Sequence, residues 1–247
     1  MIIINWMSCG QTRKPLVMPI SLADVFDALV EDVDVAKRTA AFVLAQVQDG
    51  SLLDLACGTG TISEQLKDRF EITGLDLDEE MLKQFRKRNP GLKTICGSMS
   101  DLSGLAQYDA IVLFGDSLNY LLTIEEVKKT LCEAIDHLKT GGVFFFDMHT
   151  PARYTEFLEE YCEEGVVMDT PFQWTIQSLP DELINHHFAF YDQDGHAQTL
   201  SFDQRVYPLS EIQAILDEHH AHYQIWSDFE PGIDPTKEKY LFAVRRS

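Results

Sequence analysis

From Gly50 to Asp147 the chain alternates between two hydrophobic rhythms. Short apolar runs at about residues 51–55, 71–75, 93–95, 109–114 and 142–147 are bounded by polar residues or glycine and read as strands. Between them, apolar residues recur every three or four positions over about 61–69, 79–88 and 124–139, and more faintly over 100–106, and read as helices. The unbroken runs Ile111-Val112-Leu113-Phe114 and Val143-Phe144-Phe145-Phe146 suit strands covered on both faces. The pattern predicts an α/β fold with a doubly wound, mostly parallel sheet and right-handed crossovers. Two helices precede it. One is capped by Ser21 and runs through Leu29. The other spans about Asp34 to Gln48, with Val35, Ala36, Ala40 and Val43 on one face.

Beyond His149 the rhythm changes. A helix over about Pro151 to Glu160 leads into aromatic-rich strands at about Phe172–Leu179, Leu183–Tyr191 and Thr199–Tyr207, and Asp192-Gln193-Asp194-Gly195 is a hairpin turn. Strands joined by tight turns form a small antiparallel β insertion. Ser210 then caps a helix to about His219. A strand at Tyr223–Asp228, a loop at Pro231–Pro235 and a last strand at Lys239–Arg245 close an antiparallel C-terminal hairpin, giving seven strands in the main sheet. The expected domains are an N-terminal extension at 1–20, the main α/β domain at 21–150 and 208–247, and an insertion at 151–207 that acts as a lid over the crevice.

Charge narrows the partners. The 247 residues hold 40 acids against 20 lysines and arginines, a net charge of −20. Such a surface repels nucleic acid, whose binding rests on neutralised phosphates. A cationic or amine small molecule is steered toward it. The five cysteines, Cys9, Cys57, Cys96, Cys132 and Cys162, are scattered and lack metal-site spacing, so reduced thiols and a cytoplasmic location are expected. The apolar start, Met1 to Met7, is too short to cross a membrane, and residues 8–19 read as loop. His219, His220 and His222 read as a helix C-terminus and not as metal ligands.

Chemistry concentrates where the first strand ends. Leu52, Leu53 and Leu55 run into Ala56-Cys57-Gly58-Thr59-Gly60, and a helix follows. Glycines there allow positive φ and let a ligand approach bare backbone, while the first helical amides point into the same crevice. The next strand ends in Asp76, and a carboxylate there suits a ribose diol.

The run Asp54 to Gly60, followed by Gly74-Leu-Asp-Leu-Asp-Glu-Glu-Met-Leu82, resembles class I S-adenosylmethionine-dependent methyltransferases, whose fold is Rossmann-like. Tyr108 to Leu121 and Leu138 to Asp147 are similar to the fourth- and fifth-strand motifs of that family. The antiparallel insertion is similar to lids in its glycine N-methyltransferase-like branch. The resemblance implies S-adenosyl-L-methionine as cofactor, with Asp54, Ala56, Cys57, Gly58 and Gly60 around its amino-acid end. It implies Asp76 on the ribose, Leu77 against adenine, Ser98 and Met99 at the adenine edge, and Phe114, Gly115 and Asp116 beside the sulfonium. Many relatives carry an acid where Ser98 stands. Phe26-Asp27-Ala28-Leu29 resembles a Y-D-x-L element that closes over the cofactor, with Phe26 in place of tyrosine.

The implied activity is in-line methyl transfer to nitrogen or oxygen of a small molecule. Residues after the fourth and fifth strands meet the acceptor in such sheets, which makes His149, Tyr120 and Asn119 the catalytic candidates, His149 as base, with Ser117 and Tyr154 near them. From the insertion come Trp174, His186, Phe188 and Arg205; strand alternation puts His186 and Phe188 on one face. Two other readings compete: a non-catalytic S-adenosylmethionine-binding regulatory partner, and a NAD-dependent oxidoreductase. Against the latter, Ser63 stands where a dinucleotide fingerprint wants its third small residue. A second copy of the chain, as a homodimer, is a further candidate partner.

Overall fold

The computed structural model describes residues 22–30 and 32–246; the expected N-terminal extension, the Ser21 cap and the side chain of Phe26 lie outside the described residues. Helix α1 (Leu22–Leu29) and helix α2 (Val33–Leu44) lead into β1 (Gly50–Leu55), α3 (Thr61–Leu66), β2 (Phe70–Asp76), α4 (Glu79–Arg88), β3 (Lys93–Cys96) and β4 (Tyr108–Leu113). A short 3-10 turn at Ser117–Tyr120 and α5 (Ile124–Asp136) connect to β5 (Leu138–His149). Side-chain caps start the helices as expected from polar residues before apolar runs: Asp32 accepts from the Asp34 amide, Asp78 from Glu80 and Thr123 from Glu126.

The main sheet runs β3-β2-β1-β4-β5 in parallel. It continues antiparallel through β12 (Lys239–Arg245) and β10 (His222–Ser227) to a two-residue edge, β11 (Glu230–Pro231). The expected seven strands are present. The eighth, β11, lay hidden in the Pro-Gly loop. Leu53, Ile111, Phe144 and Phe146 face α5 and α7 (Leu209–Glu218), while Leu52, Ala110, Val112 and Phe145 face α2 and α3. Two cores therefore sandwich the sheet. Phe146 and Phe242 stack with centroids 4.3 Å apart, both fully buried, where the hairpin joins the parallel strands.

The weak helical pattern at 100–106 is a correction. The segment is turn, because the Asp101 carboxylate accepts from the Ser103 amide and offers the backbone a local alternative to a helix. Helix α7 also starts one residue before its expected cap, after Pro208.

Residues after β5 form α6 (Pro151–Glu156) and a second, four-stranded antiparallel sheet in the order β6 (Tyr161–Val167), β7 (Thr170–Leu179), β8 (Leu183–Tyr191) and β9 (Ala197–Arg205). Strand β6 was not foreseen. It is an edge strand exposed along nearly its whole length, so it shows no apolar alternation. Phe172, Trp174 and Ile176 of β7, Ile184, His186, Phe188 and Phe190 of β8, and Leu200, Phe202 and Gln204 of β9 share the inner face. Val25 and Leu29 of α1 pack against that face. No helix among the described residues is long and apolar enough to cross a membrane.

The Phe146–Phe242 stack carries a stability prediction. Phe242→Ala should cost about 3–5 kcal/mol by loss of buried area and cavity formation, read as a lower urea midpoint. Tyr223→Ala, at the half-exposed rim of the same cluster, should cost clearly less.

Candidate active site

In the strand order β2-β1-β4 the connections diverge between β1 and β4, and ligands of such sheets sit at that point, beyond the strand C-termini. A cavity of about 460 Å³ opens there. Its floor is the turn after β1, one wall is the loop after β4, and its far end is the inner face of the second sheet.

The turn is held by backbone and two acids. Ala56 and Gly58 take φ of 50° and 52°, and Gly60 takes 85° as the residue before α3. A side chain on Gly60 would collide with Phe85 and Asn89, and one on Gly74 would lie 2.9 Å from the Cys57 sulfur. Only glycine fits at either place. Gly58 has open space on its free side. The Asp76 carboxylate accepts from the Gly58 amide at 2.8 Å and from the Asp78 amide at 2.8 Å. Burial raises its pKa, and those two amides oppose the rise. Asp54 is buried with one side-chain donor, the Ser63 hydroxyl at 2.6 Å. Burial lifts its pKa to about 7, Ser63 working against the rise and Asp76 adding to it. A buried carboxyl with a single donor accommodates a cation well.

The loop after β4 is built around a buried charge cluster. Gly115 and Asp116 both have positive φ, 75° and 60°. The Asp147 carboxylate, from β5, accepts from both of their amides at 3.3 and 3.0 Å. Lys239, the first residue of β12, places Nζ 3.0 Å from Asp116 Oδ2 and 3.6 Å from Asp147. Burial alone would lower the Lys239 pKa, but the two carboxylates raise it above the usual range. Burial raises the Asp147 pKa to about 6, with Lys239 opposing the rise and Asp116 adding to it. Burial lowers the His149 pKa, with Asp116 opposing. Burial raises the Asp116 pKa, and charge on His149 and on Lys239 lowers it; with His149 neutral at pH 7, Lys239 Nζ at 2.9 Å is the cation left to keep Asp116 ionised.

The far end is aromatic. Trp174 and Phe188 stack at 4.9 Å, and His186 and Phe202 at 5.1 Å. Gln204 sits among them, its Oε1 3.1 Å from Nε2 of His149 and 3.1 Å from Nε2 of His186. His149 Nδ1, His186 Nδ1 and Trp174 Nε1 are buried without a hydrogen-bond partner.

The expected residues divide accordingly. Asp54, Ala56, Cys57, Gly58, Phe114, Gly115, Asp116, Tyr120 and His149 line the cavity. Gly60 does not; it is packed behind the turn. Asp76, with Leu77, Ser98 and Met99, stands outside the lining, at the ends of β2 and β3. Leu77 is 75% exposed beside Asp76, Ser98 is exposed, and Met99 is half-buried against the core. Asn119 corrects its assignment as a catalytic group. It is fully buried, donates to the Arg205 carbonyl at 2.7 Å and accepts from the His149 amide at 3.1 Å, so both ends of its amide hold backbone. Arg205 donates to the Leu122 carbonyl and Tyr154 to that of Leu179, and neither lines the cavity; Ser117 does line it, its hydroxyl donating to the Phe114 carbonyl. Lys239, Asp147, Gln204 and Arg153, which all line the cavity, were not foreseen. Lys239 reaches the site only because β12 pairs with β5 in the register Lys239↔His149, which no local pattern announces.

Comparison with known proteins agrees with this geometry. Residues 52–142 match the methyltransferase-domain family. Over 238 residues the chain is 29% identical to YqeM of Bacillus subtilis (strain 168), itself provisionally named a methyltransferase, covering 91% of this chain and 96% of that one. Over 94 residues it is 40% identical to dTDP-3-amino-3,4,6-trideoxy-alpha-D-glucopyranose N,N-dimethyltransferase of Streptomyces venezuelae, covering 38% of this chain and 40% of that enzyme. The crystal structure of a S-adenosylmethionine-dependent methyltransferase from Clostridium acetobutylicum ATCC 824 superposes with a TM-score of 0.75 at 24% identity, over 92% of this chain and 98% of that one. Neither a dinucleotide oxidoreductase nor a non-catalytic binding partner accounts for these likenesses together. Residues 52–142 form a methyltransferase domain, and these likenesses together support a S-adenosylmethionine-dependent methyltransferase acting on a small molecule.

Proposed function

We propose that the methyl acceptor is an amine on a small, hydroxyl-bearing molecule such as an amino sugar, held between the loop after β4 and the second sheet. The observation that carries this is one cavity joining two unlike ends. The glycine turn with Asp54 lies at one, and neutral His149 beside ionised Asp116 under an aromatic wall lies at the other. The 40% likeness to an amino-sugar N,N-dimethyltransferase, confined to 94 residues, supports the same acceptor class. Residues 151–207, the second sheet with α6, serve as the lid over the cavity.

The cofactor supplies an activated methyl on a positively charged sulfur. The chain's residues fit its parts. Asp54, short of donors, accepts its ammonium; open backbone at Gly58 admits its amino-acid end; Asp76 keeps lone pairs for ribose hydroxyls; exposed Leu77 offers a face to adenine; Ser98 and Met99 border that shelf. Phe114, Gly115 and Asp116 border the reacting centre. The lid and the aromatic wall exclude water and align the acceptor, which is most of what such a displacement requires. His149 Nδ1 is the proton acceptor, and Tyr120 closes the acceptor side of the cavity.

Three outcomes are expected. Incubation with radiolabelled methyl donor should label primary-amine sugars, and the equivalent sugars with hydroxyl in place of the amine should stay unlabelled; label on the hydroxyl compounds alone overturns the amine reading. Asp76→Ala should weaken cofactor binding about 10- to 100-fold by calorimetry, the worth of one or two hydrogen bonds to a charged group, and should also lower the melting temperature, since the Gly58 and Asp78 amides lose their acceptor. The third concerns Asp54. Its folded-state pKa is raised from 3.8 to about 7, so the native state holds its proton more tightly than the unfolded chain. The stability it contributes is complete below about pH 3.8 and is lost as pH rises through 7. Asp54→Asn should therefore melt several degrees above the parent at pH 8, with the gap shrinking toward pH 5. Parent affinity for the cofactor should rise with pH through 7, and the variant should bind weakly with little pH dependence.

A further inference from the structure

We propose that Gln204 is the positioning residue of the acceptor site, and that with His149 and His186 it forms a clamp fixing both imidazoles in one tautomer, so that their bare Nδ1 atoms and Asp116 receive the acceptor as an ammonium. This rests on the amine reading above and names the residues that implement it.

The geometry is specific. A side-chain amide oxygen has two lone pairs, and Gln204 Oε1 lies at hydrogen-bond distance from two imidazole Nε2 atoms at once, 3.1 Å each. An oxygen accepts, so both Nε2 atoms carry hydrogen and donate. Each neutral ring then has its lone pair on Nδ1. Those two Nδ1 atoms are buried and unpartnered, in residues that are 2% and 8% exposed and that line the cavity. A third acceptor joins them: Asp116 Oδ1 lies 3.5 Å from His149 Nδ1 and makes no hydrogen bond, although Lys239 Nζ is 2.9 Å away. Two acceptor atoms facing each other at that distance repel unless a proton donor comes between them. The unpartnered donor here is the Trp174 indole N–H.

A cavity end with three hydrogen-bond acceptors and one donor selects its ligand. An ammonium brings up to three N–H donors and a positive charge, and the Trp174 and Phe188 rings add a cation–π surface. Trp174 N–H then has one acceptor to find, which a neighbouring hydroxyl or ring oxygen supplies. The charged groups facing His149 are Asp116 from the loop after β4, Lys239 from β12 and Arg153 from α6, and a neutral titratable group, His186 from β8, stands beside them. Lys239 is already paired with Asp116 and Asp147, and Arg153 with Glu156. The proton step balances simply. The bound ammonium gives one proton to His149 Nδ1 and becomes a neutral amine with a free lone pair. His149 becomes an imidazolium, Nε2–H still on Gln204 and the new Nδ1–H toward Asp116. It returns the proton to water when product leaves.

Gln204 acts through the two histidines, so its test needs readouts beyond loss of activity. In ligand-free parent protein, a long-range 1H–15N spectrum should show both His149 and His186 protonated on Nε2; protonation of both on Nδ1 overturns the clamp, because Gln204 would then be donating its NH2. Gln204→Leu should bind the methyl donor as the parent does by calorimetry, show mixed tautomers, and lose roughly 100-fold in kcat, the lower end of what a positioned proton acceptor contributes. Gln204→Glu keeps an acceptor oxygen for both rings. It should restore most of the kcat and move the acidic limb of the kcat/KM profile to higher pH, since a carboxylate favours imidazolium. A Glu variant as inactive as Leu, or with an unmoved acidic limb, overturns the proposal. If no amine is methylated by the parent, the amine reading fails; the tautomer spectrum still decides the clamp, since it needs no acceptor.

Discussion

The active-site end of this protein depends on one buried ammonium. Lys239 sits between Asp116 and Asp147, and three strand-end segments meet there: the loop after β4, the end of β5 and the start of β12. Two carboxylates this close and this buried cannot both ionise without a cation between them. With Lys239 present, Asp147 is free to accept the Gly115 and Asp116 amides and to hold two consecutive left-handed residues. That backbone turns the Asp116 side chain toward His149. Remove the ammonium and the loop loses its anchor and its electrostatic sign together. The antiparallel hairpin is therefore more than a cap on the parallel sheet; it delivers the charge that organises the reacting end.

The glycine turn and the acid after it were legible in the sequence because their determinants are local. A strand, a turn that only Gly60 fits and a helix lie within the few residues from Leu52 to Leu66, and Asp76 follows one strand later. Parallel strands such as β4 and β5 announce themselves by unbroken apolar runs, since both faces are covered. The acceptor half was legible only in part. Alternation placed His186 and Phe188 on one face of β8, and the structure puts both on the cavity. Gln204 and Lys239 carry no local mark. Each becomes a site residue through strand pairing, Gln204 by lying opposite Ile184 on the inner face and Lys239 by lying opposite His149. Asn119 failed in the other direction: a polar residue after β4 suggested chemistry, yet its amide holds backbone from β5 and β9. Strand β6 was hidden because an exposed edge needs no hydrophobic period.

A further tension runs between the protein's overall charge and its acceptor. A net charge of −20 raises the local concentration of cations around the molecule and repels anions, most strongly at low salt. The cavity repeats that bias at short range, since Asp54, Asp116 and Asp147 line it against Arg153 and Lys239, and Lys239 is already paired. A nucleotide-linked amino sugar, the substrate class in the name of the Streptomyces venezuelae relative, carries its pyrophosphate into that field at a cost. The free amine proposed as acceptor would meet no such cost, and its charge suits the same field. The field and the acceptor-rich far end thus favour an unphosphorylated cation. The likeness to the sugar enzyme covers only 94 residues, and the acceptor-side groups of the second sheet, His186 and Gln204, belong to a part of the chain that the 52–142 domain match does not reach. The glycine turn is built by local sequence, whereas Gln204 and Lys239 reach the cavity through distant strand pairing.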